Sequence, residues 1–532
     1  MTDPAILTYL PDPFAVGEAA FWLGRRGEGG MRVTAGDVAA FKEPLLTYEL
    51  PALLDELRRL GFCAPAKPID IGEALRLLIG LPKDDGGERR WDVWRNLAPH
   101  FGDRKAARNF ESAFKSREHR PDEPILSKML AQAASALQKL WTATEGKLQD
   151  KGESARFRDV EMPVQAIFAH RHVAGLAIDR ADAAGLLDQV TDEKYAAYLA
   201  VAEALEANPT GLNFWNIGPR LARTDLSDLS DTADGGRLRD AFKIAAHRSS
   251  FAREFLRFVE AGQDEVILRR AAGIDRRIHP TFAVFGTVSG RILVSDPFLQ
   301  QLRRRYRAII APDAGKRPIY LDYAQFEPGI LAFLSEDTSL RAAYREGDLY
   351  EALSVRVFGN IEQRPLAKRM FLAFCYGMVP ESIAKLVAGD STDRAERQAA
   401  VESFFAAFPG LAIYRARMEA SLMKAGHVAS LFGNHRFRAS DGPLSHKERR
   451  WAANHPVQAS AALIFKEALV DLAHTFGKDS VLLPVHDAAL LQFDDDDKFD
   501  NRVDEAREIM LQAFERRCPK IGPRVTAGAF AD

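Results

Sequence analysis

Residues 317–337 read RPIYLDYAQFEPGILAFLSED. The first seven form a short apolar strand that runs into an acid, Asp322. Residues 481–493, VLLPVHDAALLQF, are two apolar runs with His486 and Asp487 between them, the pattern of a hairpin. If the hairpin joins the sheet that carries Asp322, two carboxylates converge. That is the minimum protein contribution to a pair of hard divalent cations about 3.5–4 Å apart, the arrangement that assists phosphoryl transfer. Alone the pair is a weak signal, because most acids at strand ends are solvated.

A helical stretch at 364–378, RPLAKRMFLAFCYGM, adds to it. Arg364, Lys368, Leu372 and Tyr376 recur every four residues and share one broad face, about 18 Å long at 1.5 Å per residue. An Arg fork and a Lys point charge suit phosphate oxygens, and an aromatic ring at the far end suits a stacked base. The plainer reading is an amphipathic helix with a snorkelling lysine.

Composition sets wide bounds. The chain has 532 residues, 47% of them hydrophobic, enough for sizeable cores. Lys and Arg number 72 against 74 Asp and Glu, so any nucleic-acid site depends on a local basic track. Cys63, Cys375 and Cys518 are far apart and form no C-x-x-C, which excludes a disulfide framework and a thiolate zinc site. The N-terminus lacks a secretory pattern and no apolar run reaches membrane length, so a cytoplasmic protein is expected.

Polar stretches at 83–90, 117–124 and 225–237 read as loops. Residues 124–158, 180–206 and 238–270, and most of 338–430 and 445–475, read as helices. The class is α+β: a small antiparallel sheet carrying acids, with long helical insertions.

Together these segments resemble the family A DNA polymerases, the group containing bacterial DNA polymerase I. DYAQFEPGILAFLSED at 322–337 is similar to D-Y-S-Q-I-E-L-R with its following L-A-x-L-S; 364–378 is similar to R-x-x-x-K-x-x-x-F-G-x-x-Y-G; PVHDAAL at 484–490 is similar to V-H-D-E. GTVSGRILVSDPFLQQL at 286–302, RRWAANHPVQASAALIFKEAL at 449–469 and VEMPVQAIFAHRHVAGLAID at 160–179 match three further segments, in order. Six collinear matches are highly specific.

The resemblance implies a right hand, with a palm built on a small antiparallel sheet and helical fingers and thumb. It places the polymerase domain at 151–532, the thumb at about 180–275 and the fingers at about 338–445. Residues 1–150 would form a small, inactive α/β exonuclease-like domain, since no D-x-E occurs there. It implies template-directed addition of dNTPs to a primer, with two Mg2+ ions (Mn2+ as a substitute) and a monomeric enzyme on primer–template DNA. Asp322, Asp487 and the backbone carbonyl of Tyr323 would hold metal. Arg364 and Lys368 would hold the triphosphate, with Lys368 also protonating the leaving pyrophosphate. Tyr376, Leu372 and Gln325 would complete the nucleotide site, and Glu327 would crowd the sugar 2′ position. Arg291, Arg450, Asn454, Gln458 and His486 would touch the primer–template. Arg303, Arg304, Arg305 and Arg307 read either as further phosphate contacts or as a solvated face.

Departures are also legible. Leu372 and Ala373 stand where the family has Phe or Tyr and Gly, and Ala488 replaces the Glu after the catalytic Asp. Pro328 and Gly329 replace Leu-Arg. Other readings are a polymerase of relaxed template or sugar choice, and a non-catalytic DNA-binding protein.

Overall fold

A computed structural model describes residues 3–82, 87–116, 121–273, 277–375, 377–388 and 394–531. The chain opens with a five-stranded mixed sheet: β1 (Ala5–Leu10), β2 (Ala20–Gly24), β3 (Met31–Val33), β4 (Pro44–Thr47) and β5 (Lys67–Asp70), in the order β3-β2-β1-β4-β5. β1 pairs antiparallel with β2 and parallel with β4, and β4 is parallel to β5. Both parallel links pass through helices, as parallel crossovers require. This part of the chain is therefore α/β. Residues 46–78 lie within two strand–helix units.

The 28-residue helix Glu123–Asp150 lies on this sheet. Its buried Leu126, Leu130, Ala133 and Leu137 recur at helical spacing, and Thr8 donates to Leu130 O at 3.0 Å. The helix Met162–Ala174 then serves two cores. Ala169 packs into the N-terminal core, while Val164, Ile167 and Phe168 belong to the core of the rest of the chain.

That larger core surrounds a four-stranded antiparallel sheet of β6 (Lys316–Ala324), β7 (Val481–Val485), β8 (Ala488–Asp494) and β9 (Arg524–Gly528), ordered β7-β8-β6-β9. β7 is buried throughout, and β8 until its last residue, so they read as continuous apolar runs and not as alternating ones. The helices His446–Phe476 and Phe499–Arg517 cover them.

Two helical arms rise from this base. One is the antiparallel pair Arg180–Leu205 and Ser250–Ala272. The other runs from Thr338–Glu346 to Pro409–Ala425. The single helix expected over 238–270 is two, Gly235–Ala245 and Ser250–Ala272. Ser249 breaks it, because its Oγ accepts from Ala252 N at 3.0 Å and so caps the second helix. Among the described residues, no helix is long and apolar enough to cross a membrane.

Candidate active site

Asp322 lies on β6 directly opposite Ala488 of β8. β7 and β8 are joined by a two-residue turn, His486 and Asp487, because Val485 pairs with Ala488. Asp487 therefore sits one residue from the partner of Asp322. His486 takes φ +57°, as the first central residue of so short a hairpin must. The expected convergence of the two acids is what the sheet register produces.

Their electrostatics follow from this placement. Burial, and then the charge of Asp487, pushes the Asp322 carboxyl up to about 6, with Lys368, Arg304 and Arg307 pulling it back. Two like charges in a half-buried site fit a hard divalent cation, which would relieve their repulsion. Among the described residues no group of three His, Cys, Asp or Glu forms a ready-made metal cage. The Tyr323 side chain plays no part, since its hydroxyl donates to Met510 O at 2.6 Å and its ring stacks on Phe326 with centroids 4.1 Å apart.

A cleft of about 470 Å³ opens over the two acids. Lys368 and Leu372 line it from the helix Arg364–Cys375, and Arg291, Gln325, Glu327 and His486 also face it. Gln325 is more than a wall residue: its Oε1 accepts from Leu349 N at 3.0 Å, tying two helices of one arm. Glu327 is buried and ion-paired with Arg291. Desolvation in the cleft wall, opposed by the charge of Asp487, holds the His486 imidazole below its ordinary pKa.

Other expected residues stand at the edges. Arg364 is not in the cleft wall; its Nε donates to Asp348 at 3.0 Å and lies 3.7 Å from Glu351. Asn454 and Gln458, one helical turn apart, line a separate cavity of about 20 Å³ with Glu327 and Cys375. Arg450 lies 3.5 Å from Asp234 and packs so closely on Gly377 that its Cγ would be 2.6 Å from a Cβ there; the Gly377 φ of +90° also favours glycine. Tyr376 lies outside the described residues.

Sequence reasoning missed several residues of the cleft wall: Asp240, Lys243, Tyr350 and Arg369. The arginine run splits in two. Arg307 faces the cleft, while Arg303 and Arg305 are spent on Glu193.

The family model for DNA polymerase family A matches residues 244–521, just over half of the chain. The chain belongs to DNA polymerase family A. DNA polymerase I of Pseudomonas aeruginosa is 32% identical over 278 residues, 48% of this chain and 28% of that protein. The thermostable DNA polymerase I of Thermus aquaticus is 28% identical over 372 residues, 63% of this chain and 43% of that protein. The chain thus spans under half the length of these family A relatives. Among solved structures, the POL domain of Pol1 from M. smegmatis, in complex with DNA primer-template and dNTP, superposes with a TM-score of 0.72 at 20% identity, over 99% of this chain and 95% of that one. The family A fold, α+β with a palm sheet between two helical arms, therefore extends through the N-terminal α/β sheet.

Proposed function

We propose that this family A chain is a DNA-directed DNA polymerase that extends a primer with dNTPs and does not proofread. The observation that carries the reading is that Asp322, opposite Ala488 across β6 and β8, and Asp487, in the turn just before Ala488, line one cleft with Lys368. Two Mg2+ ions, with Mn2+ as a substitute, would activate the primer hydroxyl and hold the triphosphate oxygens when bound by these acids. Lys368 is placed to donate a proton to the leaving pyrophosphate. Arg364 receives the triphosphate by exchanging Asp348 for phosphate oxygens. Glu327 crowds the 2′ position of the incoming sugar, while Arg291 and His486 touch the primer end from the cleft wall. Tyr376 stacks at the template position. The enzyme acts as a cytoplasmic monomer on primer–template DNA.

The absence of proofreading rests on the first sheet. β1, AILTYL, carries no acid. Tyr9 and Tyr48 stack with centroids 5.3 Å apart and pack edge-on against Phe114, while Trp94 and Phe110 close on Tyr48.

One feature favours the alternative of relaxed template or sugar choice: Leu372 leaves the nucleotide site without the family's aromatic ring. A labelled primer on DNA and RNA templates, with dNTPs and NTPs compared, separates the readings. Extension with dNTPs on DNA, and no shortening of a mismatched primer end in Mg2+ alone, is expected. Untemplated addition without templated extension would overturn the reading.

A further inference from the structure

The two helical arms are joined over the cleft. His247 Nε2 lies 2.9 Å from Val387 O, Arg248 Nε donates to Leu386 O at 3.0 Å, and Arg369 donates to Lys243 O. Arg450, on the helix His446–Phe476, lies 3.5 Å from Asp234 and ties the start of this segment to the base. The segment Asp234–Ser249, capped at its start by Asp234, is therefore a bridge from one arm to the other. Its helix turns Lys243 into the wall of the cleft that holds Asp322 and Asp487. From Lys243 and Arg369 the cleft continues into a groove of about 420 Å³, lined also by Arg253, Arg257, Arg303 and Glu260.

We infer that Lys243 and Arg369 form a second phosphate-holding pair, and that they take the pyrophosphate portion of the nucleotide bound in the metal cleft. The inference rests on the polymerase reading proposed above. Lys243, Lys368 and Arg369 all line the same cleft, so a polyphosphate held by Lys368 has both further cations in its wall. The groove has the volume of a small-molecule site and is too small for a duplex. The two cations are not committed elsewhere in the way Arg303 is: Arg369 donates to two carbonyl oxygens, of Pro365 and Lys243, and not to a carboxylate. Burial also depresses the pKa of both, the cost of holding cations where only an anion can compensate them. Asp240, which faces the same cleft, balances part of the Lys243 charge.

The test uses the full chain with steady-state kinetics in both directions. Lys243→Gln is expected to raise the KM for dNTP, and the KM for inorganic pyrophosphate in the reverse reaction, each about tenfold, or about 1.4 kcal/mol. The Kd for primer–template should stay unchanged, and Lys243→Arg should restore both KM values. Arg369→Gln should show the same pattern and serves if the first variant is unstable. KM values within twofold of wild type, or a weakened primer–template Kd in their place, would overturn the inference. A wild-type chain that does not extend primers at all would instead overturn the polymerase reading.

Discussion

Glu327 and Arg291 form an ion pair inside the cleft that holds Asp322. Both were expected to meet substrate, one at the sugar and one at the primer end, and here each restrains the other. A buried acid fixed by an arginine is a stiffer wall than a free one, because its rotamers are limited. Truncating it removes bulk and leaves Arg291 without this partner. Glu327→Ala should therefore raise the ratio of ribonucleotide to deoxyribonucleotide insertion on the order of a hundredfold. Glu327→Gln keeps the bulk and should leave the ratio near wild type. Single-nucleotide insertion with dNTP and NTP reads both; an unchanged ratio in Glu327→Ala would remove Glu327 from sugar selection.

Asp322 predicts a stability effect separable from activity. Its carboxyl is raised to about 6 by burial and by Asp487. A raised acid binds its proton more tightly when folded, so the fold is favoured below the unfolded value near 3.9 and loses that advantage as pH rises to about 6. At pH 7 the full cost is present, on the order of 1–3 kcal/mol. Asp322→Asn should therefore raise the Tm in EDTA at pH 7 and abolish primer extension. Mg2+ should raise the Tm of wild type and leave that of Asp322→Asn unmoved. Equal Mg2+ shifts in the two proteins would place the cation elsewhere.

Much of this centre was legible in the sequence, for local reasons. β6 and the β7–β8 hairpin are apolar runs bounded by acids, so the register that opposes Asp322 to Ala488 follows from strand length and turn. Lys368 and Leu372 share a helix face by spacing alone. What the sequence did not disclose depends on contacts between distant segments. Lys243 reaches the cleft from a helix more than a hundred residues before Lys368, across the joint between the arms. The arginine run has one composition and two fates, because Glu193 happens to face Arg303 and Arg305 but not Arg307. The break at Ser249 was hidden by continuous apolar periodicity on either side of a cap.

The joint beneath the second arm predicts a pH dependence. His455 is fully buried; its Nε2 lies 2.9 Å from Asn434 O, while its Nδ1 has no hydrogen-bond partner. Burial lowers its pKa to about 3, opposed by the Asn434 carbonyl and reinforced by Arg436 and Arg156. A histidine held neutral in the fold contributes stability that is whole above its unfolded value near 6.5 and is lost as pH falls towards about 3. Between pH 6.5 and 5 the loss from this one group is about 2 kcal/mol. Urea unfolding of wild type and His455→Gln at pH 7.5 and 5.0 measures it as the difference in slope. Identical pH slopes would show that His455 is not held neutral.

Leu372 faces the cleft from the helix that also carries Lys368, where the resemblance calls for an aromatic ring. The neighbouring Phe371 does not substitute for it. That ring is fully buried, packed edge-on to Tyr350 at 5.9 Å and tilted against Phe405. One helical step separates the two side chains by about 100°, so Phe371 supports the helix and cannot reach the nucleotide. The cleft, at about 470 Å³, has room for the larger side chain. A ring there adds stacking worth about 0.5–1.5 kcal/mol, so Leu372→Phe should lower the KM for dNTP by about two- to tenfold. The kcat should change less, because stacking that is equal in the ground and transition states lowers KM alone. Steady-state insertion kinetics opposite one template base would show this, and a KM equal to or above wild type would mean that the nucleotide does not lie against this face of the helix.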